Sequence, residues 1–288
     1  MKKPYWLDKK INLEECRRLR LLLRELCLHT VCEESLCPNL SECFGSETAT
    51  FMILGNKCSR SCSFCNVSSG IPAPPQEDEP LRIKEAVRLL SLKYVVVTSP
   101  TRDDLDDGGA GLFFQTAEAV YDLNPDITIE LLIPDFKGDN LQVRNIAGSK
   151  ASVIGHNIET VPSLYIKVRS GGGYLSSLRV LETLKEQNSG LLTKSGLMLG
   201  LGESVEEVKA VLKDLKKTGC DFLTLGQYLP PSLKHYPPKR FMPLEIFSYL
   251  KEFALNLGFK GVASSPYVRS SYKARQLYNN CIAGRFKA

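Results

Sequence analysis

From Thr50 onward the chain alternates short, nearly continuous apolar runs with stretches whose apolar residues recur every three or four positions. The runs are residues 50–54, 94–98, 127–133, 152–155, 196–199 and 222–225. Runs without polar alternation, bounded by Gly, Pro or Asp, predict strands covered on both faces. Between them the helical period is clearest over residues 204–217. Val205, Val208, Val211, Leu212 and Leu215 share one face there. Ser204 and Glu207 make a capping-box pattern at its start, and Gly219 stands just past its end. Pro80 opens another helix with Ile83, Ala86, Val87 and Leu90 turned inward. The alternation predicts an α/β fold, a partial (β/α)6 barrel over residues 48–265. Extensions of residues 1–47 and 266–288 flank it.

In such a sheet the chemistry gathers at the carboxyl ends of the strands. Six polar or glycine-rich segments fall there: a cysteine cluster at 58–65, acidic 99–107, then 134–139, 156–159, 200–203 and 226–232. Any one of them reads as a solvated turn; six at one end predict a shared mouth.

Cysteine changes the picture most. The chain has ten among 288 residues, with 43% hydrophobic content. Disulfide-dense chains are usually small and secreted, whereas this one is long enough for a core of its own. Its start, Met1-Lys-Lys-Pro, offers no apolar leader and no Arg- and Ser-rich transit pattern, which predicts a cytoplasmic protein. No run of 18 apolar residues predicts a membrane span. Net charge is +5, spread along the chain, with no nucleic-acid-binding module in view. A basic face suits an acidic protein partner.

Cys58, Cys62 and Cys65 are spaced C-x3-C-x2-C. Three thiolates that close can hold three corners of a cubic iron–sulfur cluster and leave one iron open for substrate. Cys32, Cys37 and Cys43 form a second triplet, C-x4-C-x5-C. Structural zinc prefers closed four-ligand sites, and neither triplet has an obvious local fourth ligand. Spacing alone still leaves zinc open. Cys16, Cys27, Cys220 and Cys281 lie outside both patterns and are expected in the core. His29 and His235 carry no ligand pattern.

The first triplet after a first strand resembles the radical S-adenosylmethionine (SAM) superfamily. The second triplet together with Arg269-Ser-Ser-Tyr272 resembles the lipoyl synthase family, a far narrower match. Ala49-Thr-Phe-Met-Ile-Leu-Gly55, Arg102-Asp-Asp-Leu105, His156-Asn-Ile-Glu-Thr-Val161, Thr193-Lys-Ser-Gly-Leu-Met-Leu-Gly-Leu-Gly-Glu203 and Gly226-Gln-Tyr-Leu-Pro-Pro-Ser232 extend it from Lys3 to Tyr272. Gly155, where a polar residue is expected, and Pro100, where an apolar one is, depart from the pattern.

The resemblance implies two 4Fe–4S clusters and SAM. Cys58, Cys62 and Cys65 would hold the cluster that cleaves SAM to a 5′-deoxyadenosyl radical. Cys32, Cys37, Cys43 and Ser271 would hold an auxiliary cluster that donates sulfur. Asn157, Glu159, Arg169, Gly200 and Glu203 would contact SAM. Sulfur would enter at C6 and C8 of an octanoyl chain on a lysine of a lipoyl carrier domain, either a 2-oxoacid dehydrogenase E2 subunit or the glycine cleavage H protein. Ferredoxin or flavodoxin would supply electrons, and an iron–sulfur carrier would rebuild the spent cluster. Two rivals stay open: a two-cluster methylthiotransferase, for which the space before Cys58 is short, and a zinc-binding module without activity.

Overall fold

The computed structural model describes residues 4–9, 14, 16–45 and 48–285 of the chain. Both expected extensions therefore run past it, at residues 1–3 (with Lys3) and 286–288, and the first also at 10–13, 15, 46 and 47. Eight strands form one sheet in chain order: β1 (His29–Thr30), β2 (Thr50–Met52), β3 (Tyr94–Thr98), β4 (Thr128–Leu132), β5 (Val153–Gly155), β6 (Leu192–Leu199), β7 (Phe222–Gln227) and β8 (Gly261–Ser264). β1 is antiparallel to β2, with His29 opposite Met52. Every other pairing is parallel. The helices are α1 (Arg17–Glu25), α2 (Glu79–Leu89), α3 (Ala110–Leu123), α4 (Asn140–Ala147), α5 (Tyr174–Gln187), α6 (Val205–Lys217), α7 (Leu244–Asn256) and α8 (Ala274–Arg285). None of the described helices is long and apolar enough to cross a membrane.

The expected strand–helix alternation is present, and a parallel α/β sheet of partial-barrel type results. The continuous apolar runs have a direct cause: Val95, Val97, Ile129, Leu131 and Ile154 on one face and Val96 and Val153 on the other are all buried, so neither strand face meets water. The α6 capping box forms as predicted, with Glu207 N–H donating to Ser204 Oγ and Ser204 N–H to Glu207 Oε2. Val208, Val211, Leu212 and Leu215 are buried; Val205, in the first turn, is only half-buried.

Two strands extend beyond the sequence pattern. β6 starts at Leu192 because Thr193, Lys194 and Ser195 are polar yet buried. Lys194 Nζ lies 2.7 Å from Glu130 Oε1, Ser195 Oγ donates to the His156 carbonyl, and Thr193 N–H donates to Asp221. β8 adds a seventh parallel strand where no apolar run had announced one.

The sheet does not pair β1 with β8. The segments beside those two edges meet instead. Asn39 Nδ2 donates to the Tyr267 carbonyl at 2.7 Å, the Tyr272 hydroxyl to Glu42 at 2.7 Å, and Thr50 Oγ1 lies 2.7 Å from Ser271 Oγ. Residues 39–42 and 267–272 thus meet in the lateral seam of the barrel. At the amino ends of the strands, Leu277, Tyr278, Cys281 and Ile282 of α8 pack on Val153, Leu192 and Phe222.

Candidate active site

The first cysteine triplet lies in the loop after β2, at the carboxyl end of the sheet. Cys58 ends a two-residue strand, Lys57–Cys58, paired with Ser68–Ser69. That pairing closes the loop on itself, and Gly70 N–H donates to the Cys58 carbonyl. Arg60, between the first two cysteines, grips two carboxylates at once. Nε and Nη2 reach Asp103 at 2.6 and 2.9 Å; Nη1 and Nη2 reach Asp135 at 2.9 and 2.7 Å. Asp135 is buried, and Arg60 holds its carboxyl below the usual range against the opposing effect of burial. The loop is therefore pinned to the segments after β3 and β4. Ser63 ties it to residue 168 (N–H to carbonyl, 3.1 Å), and Tyr236 N–H donates to the Ser63 carbonyl at 2.8 Å. Arg60 N–H points at Cys58 Sγ, 3.4 Å away.

The second triplet sits in the seam. Cys32 lies in a helical turn, Val31–Glu34, capped by Thr30, and Cys43 in another, Leu40–Gly45. Cys37 N–H donates to the Cys32 carbonyl between them. The Ser271 hydroxyl is brought to this triplet through Thr50, which also interacts with Cys32. Arg269, half-buried, interacts electrostatically with Cys37. Asn66, next to Cys65, donates to the Glu34 carbonyl at 2.7 Å, so the two cysteine segments adjoin.

The donor chemistry fits iron–sulfur clusters at both triplets. Burial, together with the other thiols of each triplet, pushes the Cys65 and Cys32 thiols up to about 12 and Cys43 up to about 11. Buried thiols crowded together keep their protons unless metal cations replace them. Among the described residues no three His, Cys, Asp or Glu side chains gather tightly enough to hold a single ion. A mononuclear zinc site would hold all its sulfurs about 2.3 Å from one ion; thiolates bound to different irons of a cluster stand further apart.

The residues expected to contact SAM divide into two groups. Asn157, Glu159 and Arg169 converge beside Cys62, whose thiol interacts electrostatically with Glu159 and Arg169. Glu159 has a left-handed backbone (φ 64°) and bridges to β6, and Asn157 lies close enough to favour the charged form of its carboxyl against the larger effect of burial. Arg169 Nη1 donates to the Asn157 carbonyl at 2.7 Å, and Nη2 lies 3.2 Å from His156 Nε2. Since His156 Nδ1 faces the Ile133 carbonyl at 2.9 Å, the proton sits on Nδ1 and Nε2 accepts from Arg169. Gly196 leaves this corner open: a Cβ there would stand 2.8 Å from Asn157 Oδ1 and 2.7 Å from Thr224 Oγ1.

Gly200 and Glu203 act together elsewhere. The buried Glu203 carboxylate accepts N–H bonds from Gly200, Leu201 and Gly202 at 2.6, 2.9 and 3.0 Å. Its charge is spent on shaping its own loop. Gly200 (φ 99°) has no room for a Cβ, which would stand 2.2 Å from Gln227 Nε2.

Of the four remaining cysteines, Cys16 and Cys220 are buried as expected, and Cys281 is half-buried against the α8 cluster. Cys27 is a correction: it is exposed, because its φ of 49° places it in the turn that ends α1. Sequence reasoning also overlooked Thr50 and Arg60. Arg60 carried a usable signal, a cation between two candidate ligands; Thr50 carried none, since a threonine opening a strand is ordinary.

Comparison with known proteins agrees with this geometry. The radical SAM superfamily pattern matches residues 52–215. Relatives named lipoyl synthase include that of Geotalea uraniireducens, 53% identical over 275 residues, 96% of this chain and 97% of that one. Another, from Caldicellulosiruptor saccharolyticus, is 50% identical over 276 residues, again 96% and 97%. Among solved structures, Streptococcus suis SuiB bound to S-adenosylmethionine has a TM-score of 0.57 at 13% identity. It is matched over 88% of this chain but only 61% of its own longer one. Methylornithine synthase (PylB) has a TM-score of 0.52 at 18% identity, over 88% and 83% of the two chains. These structures share the fold alone. With about half its residues identical over nearly the full length of such relatives, the chain belongs to the lipoyl synthase family of the radical SAM superfamily.

Proposed function

We infer that this chain inserts two sulfur atoms at C6 and C8 of an octanoyl chain bound to a carrier-domain lysine, forming the lipoyl group. The full-length identity to the lipoyl synthases carries this reading. SAM and an iron–sulfur cluster belong to the family's chemistry. The two-cluster count, the ligand sets and the partners are our own reading. Cys58, Cys62 and Cys65 hold one 4Fe–4S cluster; Cys32, Cys37, Cys43 and Ser271 hold the other. Residues 1–47 and 266–288 are extensions that together build the second site around a barrel of residues 48–265. Its supporting observation is the contact of Thr50 with both Ser271 and Cys32.

Bound at the first triplet, a reduced cluster and SAM supply a 5′-deoxyadenosyl radical, which can take hydrogen from an unactivated C–H bond. The protein's own part is positional. Arg60 fixes the cysteine loop against two carboxylates. Arg169, Glu159 and Asn157 offer a cation, a carboxylate and an amide beside Cys62, groups that complement the carboxylate, ammonium and ribose of SAM. Glu203 and Gly200 act on SAM only through the shape of their loop. The carrier is an octanoylated E2 subunit or H protein, the electron donor a ferredoxin or flavodoxin, and the cluster is renewed by an iron–sulfur carrier in the cytoplasm.

The test is incubation of anaerobically reconstituted protein with an octanoylated lipoyl domain, SAM and reductant. The carrier should gain two sulfur atoms by intact mass. SAM cleavage without any sulfur gain overturns the function. In Ser271→Ala, cleavage should persist while the two-sulfur product disappears. Wild-type yield of product from that variant removes Ser271 from the ligand set.

A further inference from the structure

Ser271 is a half-buried hydroxyl on a segment that crosses the seam from the far edge of the sheet. Tethers at Tyr267 and Tyr272 fix that segment on either side. Neither touches the Ser271 oxygen. Thr50 does, at 2.7 Å between the two hydroxyl oxygens.

Thr50 is well placed to be a fixed point. It opens β2, is buried, and pairs with Val96 in the sheet. Its β-branched side chain has little freedom about χ1. Thr50 also interacts with Cys32, so it stands beside two members of the second triplet's donor set. A threonine hydroxyl has one proton to give and lone pairs to accept with. Between metal-free neighbours it can serve both by accepting from one and donating to the other. Between two anionic ligands it can donate to only one, and an alkoxide oxygen is the stronger acceptor.

We propose that Thr50 is the positioning residue for the second cluster's serine ligand, holding Ser271 Oγ against the triplet through the 2.7 Å contact between the two hydroxyls. This rests on the reading of Ser271 as a ligand. Without Thr50 the serine oxygen loses its anchor and leaves its iron more readily. The second cluster then becomes prone to losing one iron even before it meets substrate.

The experiment uses anaerobic holoprotein with SAM present to occupy the open iron at the first triplet. Thr50→Val removes the hydroxyl and keeps shape and strand preference; Thr50→Ser keeps the hydroxyl. Each is titrated with a mild oxidant, and three-iron cluster formation is followed by electron paramagnetic resonance. The same titration in a Cys58→Ala/Cys62→Ala/Cys65→Ala background assigns the signal to the second triplet. Thr50→Val should form the three-iron species several-fold faster than wild type, and Thr50→Ser should restore wild-type behaviour. Ser271→Ala should match or exceed Thr50→Val, and the double variant should add nothing to Ser271→Ala. Wild-type oxidation of Thr50→Val, or additive effects in the double variant, overturns the proposal while leaving Ser271 a ligand. Wild-type oxidation of Ser271→Ala instead removes the ligand reading and this inference with it. Should Thr50→Val fold poorly, the signature is read from Thr50→Ala, with iron retained at the first triplet as the folding control.

Discussion

His156 shows how a single neutral ring can order a charged corner. Burial, then the Arg169 charge, hold its pKa down at about 4. Asp135 pulls it upward and Arg60 pushes it further down. Its Nε2 lone pair faces Arg169, so a proton there would set two donors against each other. The sign of the pH effect follows. The unfolded imidazole takes a proton near 6.5, well above the folded value. As pH falls, the unfolded state gains protons first, and stability drains away between about 6.5 and 4. Above 6.5 the contribution is complete. Between pH 7 and 5 this ring alone should remove about 2 kcal/mol. His156→Gln keeps an acceptor for Arg169 and does not titrate. Urea midpoints of the metal-free proteins should fall less steeply with acid in that variant; parallel slopes would exclude His156 as the source. None of this was legible in the sequence, where His156 read only as part of a motif, because tautomer and burial depend on partners 13 to 23 positions away.

The cysteine loop depends on the elements it is tied to, and Arg60 is the tie. Removing it leaves Asp135, whose side chain is 3% exposed, without its counter-charge. Breaking one half of a buried ion pair costs about 3–5 kcal/mol. Arg60→Ala should therefore lower the unfolding midpoint and empty the first triplet while sparing the second, so that iron per chain falls to about half. Iron content equal to wild type would show that Ser63 and the short strand pair suffice. At this scale the sequence was mostly readable. Buried parallel strands advertise themselves as apolar runs, and a capping box is a local signal that needs no tertiary partner. The failures have a common cause. Thr193, Lys194 and Ser195 are buried by virtue of partners on other strands, so β6 looked shorter than it is. Gly261–Ser264 is only partly buried at a sheet edge, apart from Val262, and offers too weak an apolar signal. The carboxylates that pin Arg60 lay within segments marked as polar turns, but which of several aspartates would meet it was set by the register of β3 and β4.

The whole molecule solves one problem twice: a sheet that does not close must be covered at its seam and plugged at its base. The extensions fill the seam and, on our reading, use it for chemistry. α8 plugs the base. Leu277, Tyr278, Cys281 and Ile282 cover Val153, Leu192 and Phe222, and the Tyr278 ring meets Tyr94 edge-on with centroids 5.8 Å apart. Tyr94 in turn donates to Glu130, the partner of Lys194, so the plug also shields a buried ion pair from water. The two tasks are divided at residue 273. Among the described residues, those that meet the two triplets lie at or before it, and the base contacts lie after it. A chain ending at Lys273 should thus keep iron at both triplets, since Thr50, Ser271 and Tyr272 are untouched. It should lose the burial of several large apolar side chains, about 3 kcal/mol in sum. For a domain of this size that lowers the midpoint by roughly 6–12 °C. Calorimetry and iron analysis on the same anaerobic preparation separate the two effects. Loss of iron together with the midpoint would mean that seam and base fold as one unit; an unchanged midpoint would mean that α8 covers the strands without supporting them.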